Sequence, residues 1–150
     1  MTGRVRILVV DDDLVDRLAL RRAVEHSDLD AEVVEATTAG EALRLIATRF
    51  DCLVLDHDLP DTTGVELTRR LRASGDLTPV VLVTGQHDEE LLQTAVDAGI
   101  TDFFPKPDLS PRRIALRIRF AIRIGRAEAD RKSTRLNSSH WHVSRMPSSA

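Results

Sequence analysis

Apolar residues along this chain fall into two alternating spacings. Short apolar runs occupy 5–10 (VRILVV), 52–55 (CLVL) and 80–83 (VVLV), and mixed runs occupy 31–36 and 101–105. Between them the apolar positions recur at helical spacing, as in Ala39, Ala42, Leu43 and Ile46, which follow the i, i+3, i+4, i+7 rule of one helix face. Central strands that are apolar on both sides of the pleat belong to parallel sheets covered by helices on both faces. The pattern therefore predicts strands at 5–10, 31–36, 52–56, 79–84 and 101–105, each followed by a helix. This is an α/β fold with a doubly wound five-stranded parallel sheet. Five βα units are too few for a closed eight-stranded barrel.

Local signals punctuate the same elements. Thr38 with Glu41 and Thr63 with Glu66 have the spacing of capping boxes. Ser110 followed by Pro111 supplies an N-cap and a first-turn proline for the last helix. Asp88, Glu89 and Glu90 place negative charge at the start of a helix that runs to about Ala98, and Gly99 stops it. Asp13 reads as the start of the first helix.

Four strands end on side chains with chemical potential. The first runs into Asp11, Asp12 and Asp13, the third into Asp56, the fourth into Thr84, and the fifth through Pro105 into Lys106. In an open parallel sheet, ligands bind beyond the carboxyl ends of the strands, so these groups are placed to converge. Crowded carboxylates repel and need a cation or shared protons. An all-oxygen set suits Mg²⁺. Asp56 is then placed to act as a nucleophile that forms an acyl phosphate, with Lys106 and Mg²⁺ offsetting the charge of the phosphoryl oxygens and Thr84 donating a hydrogen bond. Taken singly, each residue has an ordinary reading: a helix cap for Asp11 or Asp12, a loop carboxylate for Asp56, a solvated charge for Lys106. His57, beside Asp56, reads as an exposed neighbour that shapes access, and His26 and His87 as surface or capping residues.

Length and composition narrow the setting. The 150 residues suit one domain. No apolar stretch approaches the ~18 residues of a membrane-spanning helix, and no signal peptide is recognisable. Cys52 is the single cysteine; it excludes an internal disulfide and reads as a small buried hydrophobe. A cytoplasmic location is the expectation.

The pieces ILVVDDD, LVLDHDLPDTTG, PVVLVTG and DFFPKP stand in the order and at the spacing of a known family. From about residue 4 to 129 the chain resembles the receiver domains of two-component response regulators. The resemblance implies a flavodoxin-like sheet in the order 2-1-3-4-5 and a phosphorylation-switched signalling domain whose own chemistry is limited to self-phosphorylation and self-dephosphorylation. Residue by residue, it implies Asp56 as phosphoacceptor, Asp12 as a direct Mg²⁺ ligand and Asp11 as its acidic neighbour acting through water. It implies the backbone carbonyl of Asp58 as the third protein ligand. Thr84 matches the switch hydroxyl, Lys106 the phosphate-pairing lysine and Phe103 the aromatic switch position. The donor would be a phosphohistidine on a sensor histidine kinase or phosphotransfer protein. Two positions depart from the commonest pattern: Phe103 lacks a tyrosine hydroxyl, and Gly85 follows Thr84 where alanine is usual.

From Asp130 the apolar periodicity stops. Residues 130–140 (DRKSTRLNSSH) and 144–150 (SRMPSSA) resemble a translated sequencing-library adapter. The expectation is a receiver domain at 1–129, a non-native disordered tail at 130–150, and a natural chain that continues into a longer signalling protein. The tail carries Arg131, Lys132, Arg135 and Arg145 against Asp130, so without it the net charge is −6 rather than −3. That acidity disfavours direct nucleic-acid binding.

The last predicted helix interleaves Arg112, Arg113, Arg117, Arg119, Arg123 and Arg126 with six apolar residues. It reads as a core helix with a solvated arginine face, with apolar residues left over to meet a second receiver or a downstream domain. Two rival functions stand beside the receiver: a phosphatase of the haloacid-dehalogenase type, to which Asp56-His57-Asp58 offers a DxD fragment, and a pseudo-receiver without phosphorylation.

Overall fold

The computed structural model describes residues 3–85 and 89–145, with side chains described up to Arg131. Five strands, β1 (Val5–Val10), β2 (Ala31–Ala36), β3 (Cys52–Asp56), β4 (Val80–Thr84) and β5 (Asp102–Pro105), alternate with helices α1 (Leu14–Glu25), α2 (Ala39–Leu45), α3 (Gly64–Ala73), α4 (Glu89–Ala98) and α5 (Pro111–Arg145). All strand pairs are parallel, and the sheet order is β2-β1-β3-β4-β5. The predicted α/β class and the 2-1-3-4-5 order are both observed. The fourth and fifth strands start one residue later than predicted.

Alternation along the strands divides the core in two. Ile7, Val9, Val54, Val81, Val83 and Phe104 face α1 and α5, where they meet Leu20, Val24, Ile114 and Ile118. Leu8, Val10, Leu53, Leu55 and Leu82 face the other way, onto Ala39, Ala42, Val65, Leu67, Leu71 and Ala95 of α2, α3 and α4. Both faces of β1, β3 and β4 are buried, which is why those segments read as unbroken apolar runs. Cys52 lies in this core with 0% exposure, and burial pushes its thiol pKa up.

The helix caps follow the sequence signals with two variations. Thr38 and Thr63 accept the backbone N–H groups of Glu41 and Glu66 at 3.0 and 3.1 Å. Glu41 closes its half of the box one residue early, on the backbone N–H of Thr37 at 2.8 Å, and Glu66 pairs instead with Arg69 and Arg70. Asp13 caps α1 by accepting from Val15 and Asp16. Ser110 caps α5 by accepting from Arg113. His26 is the exposed C-cap of α1. Gly99 ends α4 at φ +100°, a conformation that costs a side-chain-bearing residue dearly. Asp88 and His87 lie outside the described residues.

The last helix runs on past the packed core. The backbone stays helical through Arg145. No glycine or proline interrupts 130–145. Once a helix is nucleated and anchored by packed turns, each further residue adds a hydrogen bond at little cost until a breaker arrives. The buried positions of α5 among the described residues end at Ile122.

Candidate functional site: an acidic pocket at the sheet end

The pocket forms where the strand order reverses. β1 has β2 on one side and β3 on the other, so the connections leaving the carboxyl ends of β1 and β3 diverge and open a crevice between them. Val10 pairs with Leu55 in register, which brings Asp11 and Asp56, the next residue on each strand, side by side. Asp56 in turn lies beside Val83, one residue before Thr84, and Thr84 pairs with Pro105, one residue before Lys106. The five side chains singled out in the sequence are thus set by strand register.

Carboxylate oxygens of Asp11, Asp12 and Asp56 lie within 4.8 Å of one another. Asp11 and Asp56 are buried and Asp12 is exposed. The Lys106 ammonium sits at 3.4 Å from Asp56 Oδ1 and 3.8 Å from Asp11 Oδ2. It is closer still to a residue the sequence reading did not single out: Asp16 Oδ2, at 2.6 Å. Thr84 is buried at the tip of β4. Phe103 is half-buried and packs against the α2–α4 side of the core.

The electrostatics follow from burial. Desolvation, opposed by the backbone N–H of Asp13 and reinforced by the charge of Asp56, pushes the Asp11 carboxyl up to about 7. Desolvation also raises Asp56, against the pull of Lys106. Lys106 is itself held above its ordinary value: burial opposes this, but the hydrogen bond to Asp16 and the charges of Asp56 and Asp11 outweigh it. A buried Asp11 Oδ2 without a hydrogen-bond partner faces this cluster. An unsatisfied buried carboxylate oxygen within reach of two other carboxylates is the donor set that a small, hard dication completes.

Two supports hold the pocket. The β3–α3 loop closes on itself, with Asp58 bridged to Thr63 and the Gly64 N–H donating to the His57 carbonyl at 2.8 Å. Asp61 ties this loop to α2 by accepting the N–H groups of Ala39 and Gly40 at 3.0 and 2.9 Å. On the other side, Arg17 donates to the Asp11 carbonyl at 2.9 Å and pairs with Glu35 of β2 at 2.7 Å. Asp58 is exposed in its loop. His57 is half-buried rather than exposed, because its N–H is drawn to the Val83 carbonyl and the loop folds over it. Sequence reasoning missed Asp16, Arg17 and Asp61. For Asp16 the signal was present: an N-cap at Asp13 puts it in the first turn of α1, one turn beyond Asp12.

Residues 7–119 match the response regulator receiver domain. The chain belongs to that family. Response regulator MprA of Mycobacterium avium (strain 104) is 36% identical to it over 136 residues, covering 90% of this chain and 58% of MprA. MprA of Mycolicibacterium vanbaalenii is 41% identical over 104 residues, 69% of this chain and 44% of that protein. The chain spans about half the length of the curated relatives it matches. Among solved structures, the receiver domain of an HD domain-containing protein from Pseudomonas fluorescens Pf-5 superposes with a TM-score of 0.77 at 28% identity, covering 87% of this chain and 96% of that one. The beryllofluoride-activated DrrB receiver domain does so with a TM-score of 0.71 at 26% identity, covering 81% and 99%. This receiver is therefore a signalling domain of the two-component type. None of its described helices is long and apolar enough to cross a membrane.

Proposed function

We propose that this receiver is a phosphoacceptor switch in which Asp56 takes a phosphoryl group from a phosphohistidine of a sensor histidine kinase or phosphotransfer protein. The observation that carries the reading is the meeting of Asp11, Asp12 and Asp56 within 4.8 Å beside the Lys106 ammonium. The carboxylates of Asp11, Asp12 and Asp56, with the backbone carbonyl of Asp58, would hold Mg²⁺. When bound, that ion supplies positive charge to the phosphoryl oxygens as they are transferred.

The rest of the step belongs to the side chains. An Asp56 carboxylate oxygen attacks phosphorus, the P–N bond of the donor breaks, and the neutral imidazole leaves with its electron pair. Lys106, already within 3.4 Å of Asp56, neutralises the charge that arrives. Thr84 donates its hydroxyl to a phosphoryl oxygen, and Phe103 on the neighbouring strand follows that movement. The face formed by β4, β5, α4 and α5 changes with it, which is a two-state equilibrium biased by a local charge. Water then attacks the phosphorus, the acyl O–P bond breaks, and inorganic phosphate leaves as the Asp56 carboxylate is restored in a slow self-dephosphorylation. α5 exposes Leu116 and Phe120 at 65% and 57%, an apolar pair one turn apart that suits a second receiver or a downstream domain.

The test is incubation with acetyl phosphate or beryllofluoride, with and without Mg²⁺, read by intact mass or amide NMR. The wild type should change only with Mg²⁺, and Asp56→Asn should not change. An unresponsive wild type, or an equal response in Asp56→Asn, overturns the proposal and favours a pseudo-receiver.

A further inference from the structure

Lys106 has three carboxylates in reach, and the nearest is not the proposed phosphoacceptor. Asp16 Oδ2 accepts from Nζ at 2.6 Å, against 3.4 Å for Asp56 and 3.8 Å for Asp11. The pair joins α1 to the segment after β5, across 90 residues of sequence. Between those elements lies a cleft lined by Asp16, Ala19, Leu20, Val83, Lys106 and Leu109, so the ion pair bridges a gap rather than sitting in packed core. Lys106 is 27% exposed and Asp16 is 38% exposed at the side chain. The contact is partly shielded from water and still free to rearrange. Asp11 and Asp56 are held by their strands, and Asp11 also by the Asp13 N–H. Asp16 sits on the first turn of a helix with a short, rotatable side chain.

We propose that Asp16 is a competing counter-ion for Lys106, holding the ammonium in the unmodified domain so that its engagement with a phosphoryl group on Asp56 must displace that contact. The inference rests on the assignment of Asp56 as phosphoacceptor and adds a positioning residue that weakens the modified state. The lysine stem that brings the ammonium to 2.6 Å from Asp16 leaves it 3.4 Å from Asp56, so drawing its N–H donors onto a phosphoryl group on Asp56 pulls the same stem away from Asp16. Each contact to the phosphoryl oxygens therefore competes with one to Asp16, and removing the competitor releases the ammonium to the site. The same pair ties α1 to the β5–α5 connection before modification, so its loss also weakens the unmodified fold.

The experiment titrates beryllofluoride with Mg²⁺ into the full chain and its Asp16→Asn and Asp13→Asn variants, and measures chemical denaturation in EDTA of the wild type, Asp16→Asn, Lys106→Met and the double variant. Asp13→Asn is the control for loss of a nearby negative charge. Asparagine caps a helix as well as aspartate does, and Asp13 makes no ion pair with Lys106 among the described residues. Asp16→Asn should bind beryllofluoride about three- to tenfold more tightly, on the scale of one partly exposed ion pair, with Asp13→Asn changing it by less. In EDTA, Asp16→Asn should be less stable, and the loss should vanish in the Lys106→Met background. Unchanged or weaker binding by Asp16→Asn, equal tightening by Asp13→Asn, or additive losses in the denaturation cycle overturns the counter-ion assignment. A wild type that ignores beryllofluoride overturns the phosphoacceptor reading itself, and with it this inference.

Discussion

Asp11 shows how a single buried carboxylate sets the terms of the site. Folding takes it out of water and beside Asp56, so its folded pKa of about 7 lies above the ordinary 3.8. Between those values the folded chain holds a proton that the unfolded chain has released, so stability falls as pH rises through the window. Asp56 shifts in the same direction. Glu35 and Asp61 shift the other way: burial opposes the change at Glu35, but Arg17 and Arg21 lower it, and the N–H groups of Ala39 and Gly40 lower Asp61. Their contributions are lost only at the acid end. In EDTA the thermal midpoint should therefore be higher near pH 5 than near pH 8, and Asp11→Asn should flatten that slope. Added Mg²⁺ should restore more stability at pH 8 than at pH 5, because it competes with the proton for the same oxygens. A midpoint in EDTA that rises steadily to pH 8 would contradict the burial argument.

At the scale of elements, β3 and its following loop carry a tight constraint at the site. A methyl group on Gly64 would lie 2.7 Å from the Asp56 carbonyl oxygen and 2.6 Å from Leu82 Cδ1. α3 can start where it does only because this position has no side chain. Gly64→Ala should destabilise the domain by about 1–3 kcal/mol in urea denaturation and weaken beryllofluoride binding, since the backbone of Asp56 must give way. Thr63→Ala, which removes only the cap, should cost about 1 kcal/mol and leave binding nearly intact. The elements themselves were legible in the chain because their causes are local. Runs of Val, Leu and Ile with both faces buried, threonine caps, and glycine after α4 each act within a few residues. The five principal side chains were legible because each sits at the carboxyl end of a strand or within two residues beyond it. Arg17 and Asp61 were not, since their partners stand 18 and 22 residues away and meet them only through packing; the place of Asp16 one turn beyond Asp12 was legible, but its partner Lys106, 90 residues away, was not. The helical course of the backbone after residue 129 carries no apolar periodicity by which the sequence would signal it.

For the molecule as a whole, the core is complete before the chain ends. Every buried position of α5 among the described residues lies between Ile114 and Ile122. A chain cut after residue 129 should keep the urea midpoint of the full chain and bind beryllofluoride equally well; a clear loss of stability would assign the later turns a packing role. One further property of the fold offers a gauge for all of these comparisons. The only thiol in the chain, Cys52, is sealed in the central strand four residues before Asp56 and is reached by solvent only when the sheet parts. A thiol-reactive dye added under native conditions should label it at a rate set by that opening. The domain thus carries its own clock, which should slow when magnesium and beryllofluoride are added and run faster in Gly64→Ala.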